Sequence, residues 1–380
     1  MTPLPRSPKQ DIHFCSVTRL ALARHYLVVL NGDGETSHWS TLLFIRNMLY
    51  RSLQIAAFSI SGLAAQPVWA DVAAEPAMIT LSTGSRLATW TLPGSGTSRR
   101  TPVIFLHGGP GGFITTGVMD KSASLRSAGF STVYFDQAGG GQSGRIPATE
   151  FTLARAVDDL EALRIELKAE HVILWGSSYG ADLAVLYERR FPDRVAALIF
   201  TSPASFPGTR PKYDYRSTDD RSIPPGKRLM QAARLIDRIG GAAEATLSQE
   251  EAGKLFDADL NSGAYEGRML CKKVSAAPIV AITEPTEAVT GGNLYANRML
   301  LKELKGLAPI ATAAPIPPRP AIIIRGACDF MPLSNAERYR VVYGGSLVTI
   351  PNSGHGLREN PADLGNALSQ FALGPLSGVE

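Results

Sequence analysis

From residue 101 onward, short unbroken apolar runs alternate with segments of helical period. The first three runs each end in glycines: "TPVIFLHGGPGG", "STVYFDQAGGGQSG" and "HVILWGSSYG". Runs of that length without polar alternation suit strands covered on both faces. Between the second and third, "TLARAVDDLEALRIELKAE" sets Leu153, Val157, Leu160, Leu163 and Leu167 at helical spacing with charges between them, the pattern of a crossover helix. "RVAALIFTSP", "AIIIRGACD" and "SLVTIPNSGHG" repeat the strand pattern, and "NPADLGNALSQFAL" closes the chain as a helix. Upstream, "MITLSTGSRLATWTLPG" reads as a hairpin turning near Thr83-Gly84-Ser85. Together these predict an α/β fold with a mostly parallel central sheet and helices on both faces. Residues 206–320 loosen into polar, helix-prone and proline-containing stretches, which predict an inserted helical cap within a core made of residues 71–205 and 321–380.

The N-terminal part has a different logic. Arg46 and Arg51 lead an apolar core from Leu53 to about Ala65, and Val68-Trp69-Ala70 precedes Asp71, the layout of a secretory signal peptide with a small residue at the cleavage position. The expectation is a signal peptide over 48–70 starting at Met48, a doubtful leader or tail over 1–47, and an exported, periplasmic or secreted product. The alternative is a membrane-anchoring or buried helix in a cytoplasmic protein. The apolar core is short for a stable span, which needs roughly 20 residues. Residues 71–380 carry 32 Lys/Arg against 31 Asp/Glu, so nothing electrostatic calls for a nucleic-acid partner. Cys271 and Cys328 could pair in an oxidising compartment, but their spacing matches no metal-binding pattern and no disulfide framework, and ordinary buried thiols are the preferred reading.

Chemistry concentrates at three places. In Gly176-Ser177-Ser178-Tyr179-Gly180 a strand turns directly into a helix, and a side chain at either flanking glycine would collide with backbone. Such a turn holds Ser178 with its hydroxyl projecting, which suits a nucleophile. A serine hydroxyl needs a base. Of the histidines outside the leader, His107 precedes a glycine turn and His171 opens a strand, while His355 lies on the loop after the last strand, where it can lean over another strand end. The imidazole needs a carboxylate, and Asp329 ends the strand before the one bearing His355. A helix N-cap or turn carboxylate is the alternative for Asp329, but chain order and position favour the catalytic reading. The oxyanion of acyl transfer needs donors: the N–H of Tyr179 is one, and the small residues 107–112 offer another. A phosphate-binding loop is the rival for those glycines, but no Gly-Lys-Ser/Thr follows.

In order, "HGGPGG", "DQAGGGQSG", "GSSYG", "GACDFMPL" and "SGHG" resemble the prolyl aminopeptidase (proline iminopeptidase) branch of the α/β-hydrolase-fold serine hydrolases, over roughly residues 78–375. The resemblance implies Ser178 as nucleophile, Asp329 and His355 as its partners, Gly109 and Tyr179 as oxyanion donors, and a helical cap. It also implies a cap glutamate for the substrate's amino group, offered by Glu266 in "AYEGRML". Two departures stand out. Asp136-Gln137 is followed by Ala138 where the family has an arginine, and "GGNLYANRML" offers no second glutamate. The expected activity is a serine hydrolase without cofactor or metal, acting on a small-molecule or short-peptide substrate. It would release N-terminal proline or small residues, or alternatively cleave small apolar esters, lactones or amides.

Overall fold

The computed structural model describes residues 75–210, 212–216, 218, 224–272, 290–310 and 319–380. The predicted leader at 1–47 and signal peptide at 48–70 lie outside the described residues, as do 273–289 and 311–318 of the predicted insertion. Among the described residues, no helix is long and apolar enough to cross a membrane.

Eight strands form one sheet: β1 (Ala77–Thr80), β2 (Arg86–Leu92), β3 (Val103–Leu106), β4 (Thr132–Phe135), β5 (Val172–Ser177), β6 (Val195–Thr201), β7 (Ala321–Gly326) and β8 (Ser346–Ile350). Their spatial order is β1-β2-β4-β3-β5-β6-β7-β8. The predicted hairpin is present, with Ala77 opposite Thr89 and Thr80 opposite Arg86, and β2 pairs antiparallel with β4. Every pairing from β4 through β8 is parallel. The central strands are apolar throughout because both faces are covered. Along β5, Val172 and Leu174 point into one core while Ile173 and Trp175 point into the other, and β6 and β7 alternate likewise.

The first core is closed by the helices α1 (Leu153–Glu166) and α2 (Tyr179–Arg190). The α1 stripe of Leu153, Val157, Leu160 and Leu163 is buried, as its spacing predicts, and Thr152 caps the helix by accepting the Arg155 N–H at 3.1 Å. Between β6 and β7 the chain leaves the sheet and forms α3 (Lys227–Ile239), α4 (Gln249–Leu260), α5 (Gly263–Met269) and α6 (Leu294–Gly306). A capping box of Ser248 and Glu251 starts α4. After β7 come α7 (Leu333–Tyr343) and the closing helix α8 (Pro361–Leu373), whose Leu364, Leu368 and Phe371 complete the second core.

The N-terminal end of α6 is seated on the glycine loops that follow β3 and β4. Asn293 N donates to Gly111 O at 2.9 Å, Asn293 Nδ2 to Gly139 O at 2.8 Å, and Asn297 Nδ2 to Pro110 O at 2.9 Å. A Cβ on Gly111 would come within 2.2 Å of Asn293 O, so the loop's lack of side chains is what lets the helix approach.

Candidate active site

β5 runs to Ser177, and α2 begins at Tyr179. Ser178 alone makes the reversal, at φ 54° and ψ −119°, a backbone conformation that L residues rarely adopt. It is held there because its N–H donates to Thr201 O at 3.0 Å, while its carbonyl accepts from Ala181 N at 3.0 Å and Ala204 N at 3.2 Å. The flanking glycines are required by contact. A Cβ on Gly176 would lie 2.4 Å from Gly180 O, and one on Gly180 only 2.0 Å from Leu106 O. The side chain so presented is partly exposed at the C-terminal edge of the sheet.

The loop after β3 passes directly beside that serine: a Cβ on Gly108 would meet Ser178 Cβ at 3.0 Å and Oγ at 3.6 Å. Neither the Gly109 N–H nor the Tyr179 N–H donates to an acceptor among the described residues, so two amides are available near the hydroxyl. His107 ties the loop down. Its Nδ1–H donates to Gly108 O at 2.9 Å and its Nε2 accepts from Gln137 N at 3.0 Å, the pattern of a neutral ring. Burial pushes its pKa down to about 4, and the Gly108 hydrogen bond offsets only part of that.

Asp136 is a structural anchor that reading the sequence did not single out. Its two carboxylate oxygens accept Ile114 N at 2.7 Å and Gln142 N at 2.8 Å, tying the loops after β3 and β4 together. Burial raises its pKa to about 6 against the pull of those two donors. The sign of its role lay in a carboxylate placed at the mouth of an apolar run.

Asp329 and His355 meet. Asp329 Oδ1 lies 2.7 Å from His355 Nδ1, and both residues are buried. The same oxygen accepts Met331 N at 2.9 Å, so Asp329 is a turn carboxylate and the partner of the imidazole at once. Burial on its own would raise this carboxyl, but the neighbouring imidazole and the hydrogen bonds from His355 and Met331 hold it below the usual carboxylate range. A carboxyl whose folded pKa lies under its unfolded value of ~3.9 adds stability that is complete above that value and is lost as pH falls through the folded one. The stability gap between wild type and Asp329→Asn is therefore expected to be widest near neutrality and to close below pH ~4, read from urea unfolding midpoints at pH 7, 5 and 3. A gap that does not vary with pH would show that the charge contributes nothing.

Ser178, Asp329 and His355 stand on loops after β5, β7 and β8, at one edge of the sheet, since these strands run parallel. No hydrogen bond joins Ser178 Oγ to the imidazole. The histidine loop is clamped from below by Glu359, which accepts Gly354 N at 3.0 Å, Ser353 Oγ at 3.3 Å and, from the segment after α5, Cys271 N at 2.8 Å. Lys121 Nζ donates to Gly356 O at 2.6 Å from the other side.

Cys271 and Cys328 form a disulfide, with Cα atoms 5.1 Å apart. This corrects the preferred reading of two separate thiols in favour of the pairing that the sequence left open. The residues are 57 apart in sequence, and only the packing of the segment after α5 against the loop after β7 brings them into bonding range. Cys328 precedes Asp329, so the bond staples the insertion to the loop carrying the carboxylate. Glu266 falls on α5, but its side chain lies outside the described residues.

A family described as alpha/beta hydrolase fold matches residues 101–231. The structure of a thermophilic esterase from Thermogutta terrifontis superposes with a TM-score of 0.55 at 20% identity, covering 78% of this chain and 98% of that one. The chain has the alpha/beta hydrolase fold. Within this fold it is similar to the proline iminopeptidase of Xylella fastidiosa (strain Temecula1 / ATCC 700964), 27% identical over 273 residues, which cover 67% of this chain and 83% of the relative. The proline iminopeptidase of Arabidopsis thaliana is 38% identical over 100 residues, covering 26% of this chain and 25% of that protein. In the alpha/beta hydrolase fold the strand-turn-helix at Ser178 and the carboxylate–imidazole pair at Asp329 and His355 follow each other in the chain order Ser, Asp, His.

Proposed function

We propose that the protein is a serine hydrolase acting through an acyl-enzyme. The observation that carries this is the strained Ser178 at the same sheet edge as a buried His355–Asp329 pair. With Asp329 on Nδ1, the imidazole offers Nε2 as the base. It takes the Ser178 proton as Oγ bonds to the substrate carbonyl carbon, and the developing oxyanion is met by the N–H groups of Gly109 and Tyr179. The imidazolium returns the proton to the leaving group as the carbonyl–heteroatom bond breaks. Water, deprotonated by the same imidazole, then releases the acid and regenerates Ser178. In this reading helices α3–α6 serve as the cap of the site.

The narrower reading is an aminopeptidase that releases N-terminal proline or small residues from short peptides. It is supported by the similarity to proteins named proline iminopeptidase and by Glu266 on α5 as partner of a substrate ammonium group. A second reading, a carboxylesterase, lactonase or amidase for small apolar substrates, is favoured by the lack of a glutamate in residues 291–300 and by Ala138 after Gln137. One carboxylate holds a desolvated cation less well than two. The test compares proline p-nitroanilide with p-nitrophenyl acetate in wild type and Glu266→Gln. Selective loss of the anilide reaction, by about tenfold or more, is the expected result. Equal effects on the two substrates favour the esterase reading, and absence of both reactions together with no labelling by a fluorophosphonate overturns the hydrolase assignment.

A further inference from the structure

Three aromatic rings continue outward from the His355 imidazole. Phe330, the residue after Asp329, centres 4.4 Å from it. Tyr215 stacks on Phe330 at 5.3 Å with 15° between the planes, and Tyr213 stands 6.2 Å from each of them. The two tyrosines belong to the segment after β6, which is held against the acid loop by Asp214 N donating to Phe330 O at 2.7 Å. The other large aromatics of the core, such as Tyr134, Tyr187, Tyr295 and Tyr339, are fully buried, whereas Tyr213 is 52% and Tyr215 44% exposed. Asp214 is engaged by Arg216 through Nε at 2.8 Å and Nη2 at 2.6 Å, so the rim beside the rings presents a neutralised ion pair.

We propose that Tyr215 and Tyr213, continued by Phe330, form a leaving-group subsite that selects substrates whose leaving group carries a planar ring. This rests on the serine-hydrolase reading. During acylation the imidazole hands its proton to the leaving group, so the part of the substrate nearest His355 is the part that departs, while the carbonyl oxygen turns to Gly109 and Tyr179. Phe330, which touches the imidazole, and the two tyrosines that continue from it therefore meet the leaving group. Offset stacking and burial on such faces favour a planar ring over a flexible alkyl group of similar size. The shared chemistry is an aromatic ring, supplied either by an aryl alcohol in an ester or by an aromatic residue after the scissile bond of a peptide.

The test uses two substrate pairs with a common acyl part: phenyl acetate against ethyl acetate, and prolyl-phenylalanine against prolyl-alanine. In Tyr215→Ala and Tyr213→Ala the ratio of kcat/KM, ring over non-ring, is expected to fall by about tenfold, and in the Tyr→Phe variants to stay within about twofold because the ring face is kept. A fall in the first ratio assigns the ring to an aryl ester, and in the second to a peptide; either supports the subsite. Alanine variants that still label at Ser178 with a fluorophosphonate yet keep both ratios overturn the subsite and leave the hydrolase reading standing. A folded wild type that neither labels nor turns over any of the four substrates overturns both.

Discussion

Replacing Ser178 with alanine is expected to lower kcat/KM for an activated ester by roughly 10 000-fold or more, with the residual rate set by the oxyanion amides and by binding alone. The size of the effect follows from the chemistry: without Oγ there is no acyl-enzyme, and neither His355 nor Asp329 can substitute for a nucleophile. The fold should not suffer. Ser178 Oγ makes no hydrogen bond among the described residues, and alanine has the same Cβ to accommodate at the positive φ. The melting temperature should stay within about 2 °C while fluorophosphonate labelling disappears. Activity retained above about a tenth of wild type would mean that the attacking oxygen comes from another group, and would remove the reason for the strained turn.

Gly180→Ala should have the largest effect on stability. The added methyl would sit 2.0 Å from Leu106 O and 2.6 Å from Leu106 C, both backbone atoms of β3, which is hydrogen-bonded on each side to β4 and β5. No rotamer can relieve the clash, so α2 must move off the sheet and take the Ser178 turn with it. A loss of about 3 kcal/mol or more is expected in urea unfolding, at or beyond the upper end of ordinary overpacking, with labelling of Ser178 reduced in parallel. Gly117→Ala is the contrasting substitution. It lies in the one-turn helix Thr116–Met119, nothing lies within 4 Å of the Cβ it would gain, and its φ is negative. It should be neutral, or stabilising by up to about 1 kcal/mol through helix propensity. Equal behaviour of the two variants would show that the close approach at Gly180 is not what fixes the elbow.

Much of this was legible in the sequence because the signals are local. The buried α1 stripe, the hairpin before the sheet and the alternation of strands with helices follow from periodicity alone. Ser178 was legible because a strand, two glycines and a helix must be adjacent in sequence to make the turn. His355 and Asp329 were legible only as ends of apolar runs, since a parallel sheet delivers every such end to one edge. Other features were not. The disulfide joins residues 57 apart through an irregular segment with no periodic signal. Asp136, Glu359 and Lys121 act by accepting from or donating to backbone groups of distant loops, and a carboxylate or ammonium on a loop looks the same in sequence whether it faces water or an amide.

The sequence by itself determined the kind of fold and that Ser178, Asp329 and His355 fall at strand ends, because burial period and turn sterics are properties of neighbouring residues. Only the tertiary structure decided which oxygen of Asp329 faces His355, that Cys271 closes on Cys328, and that Phe330, Tyr215 and Tyr213 extend from the imidazole as one surface. Those contacts are made between loops far apart in the chain. Their energies depend on distances that appear only once the sheet has brought its strand ends together.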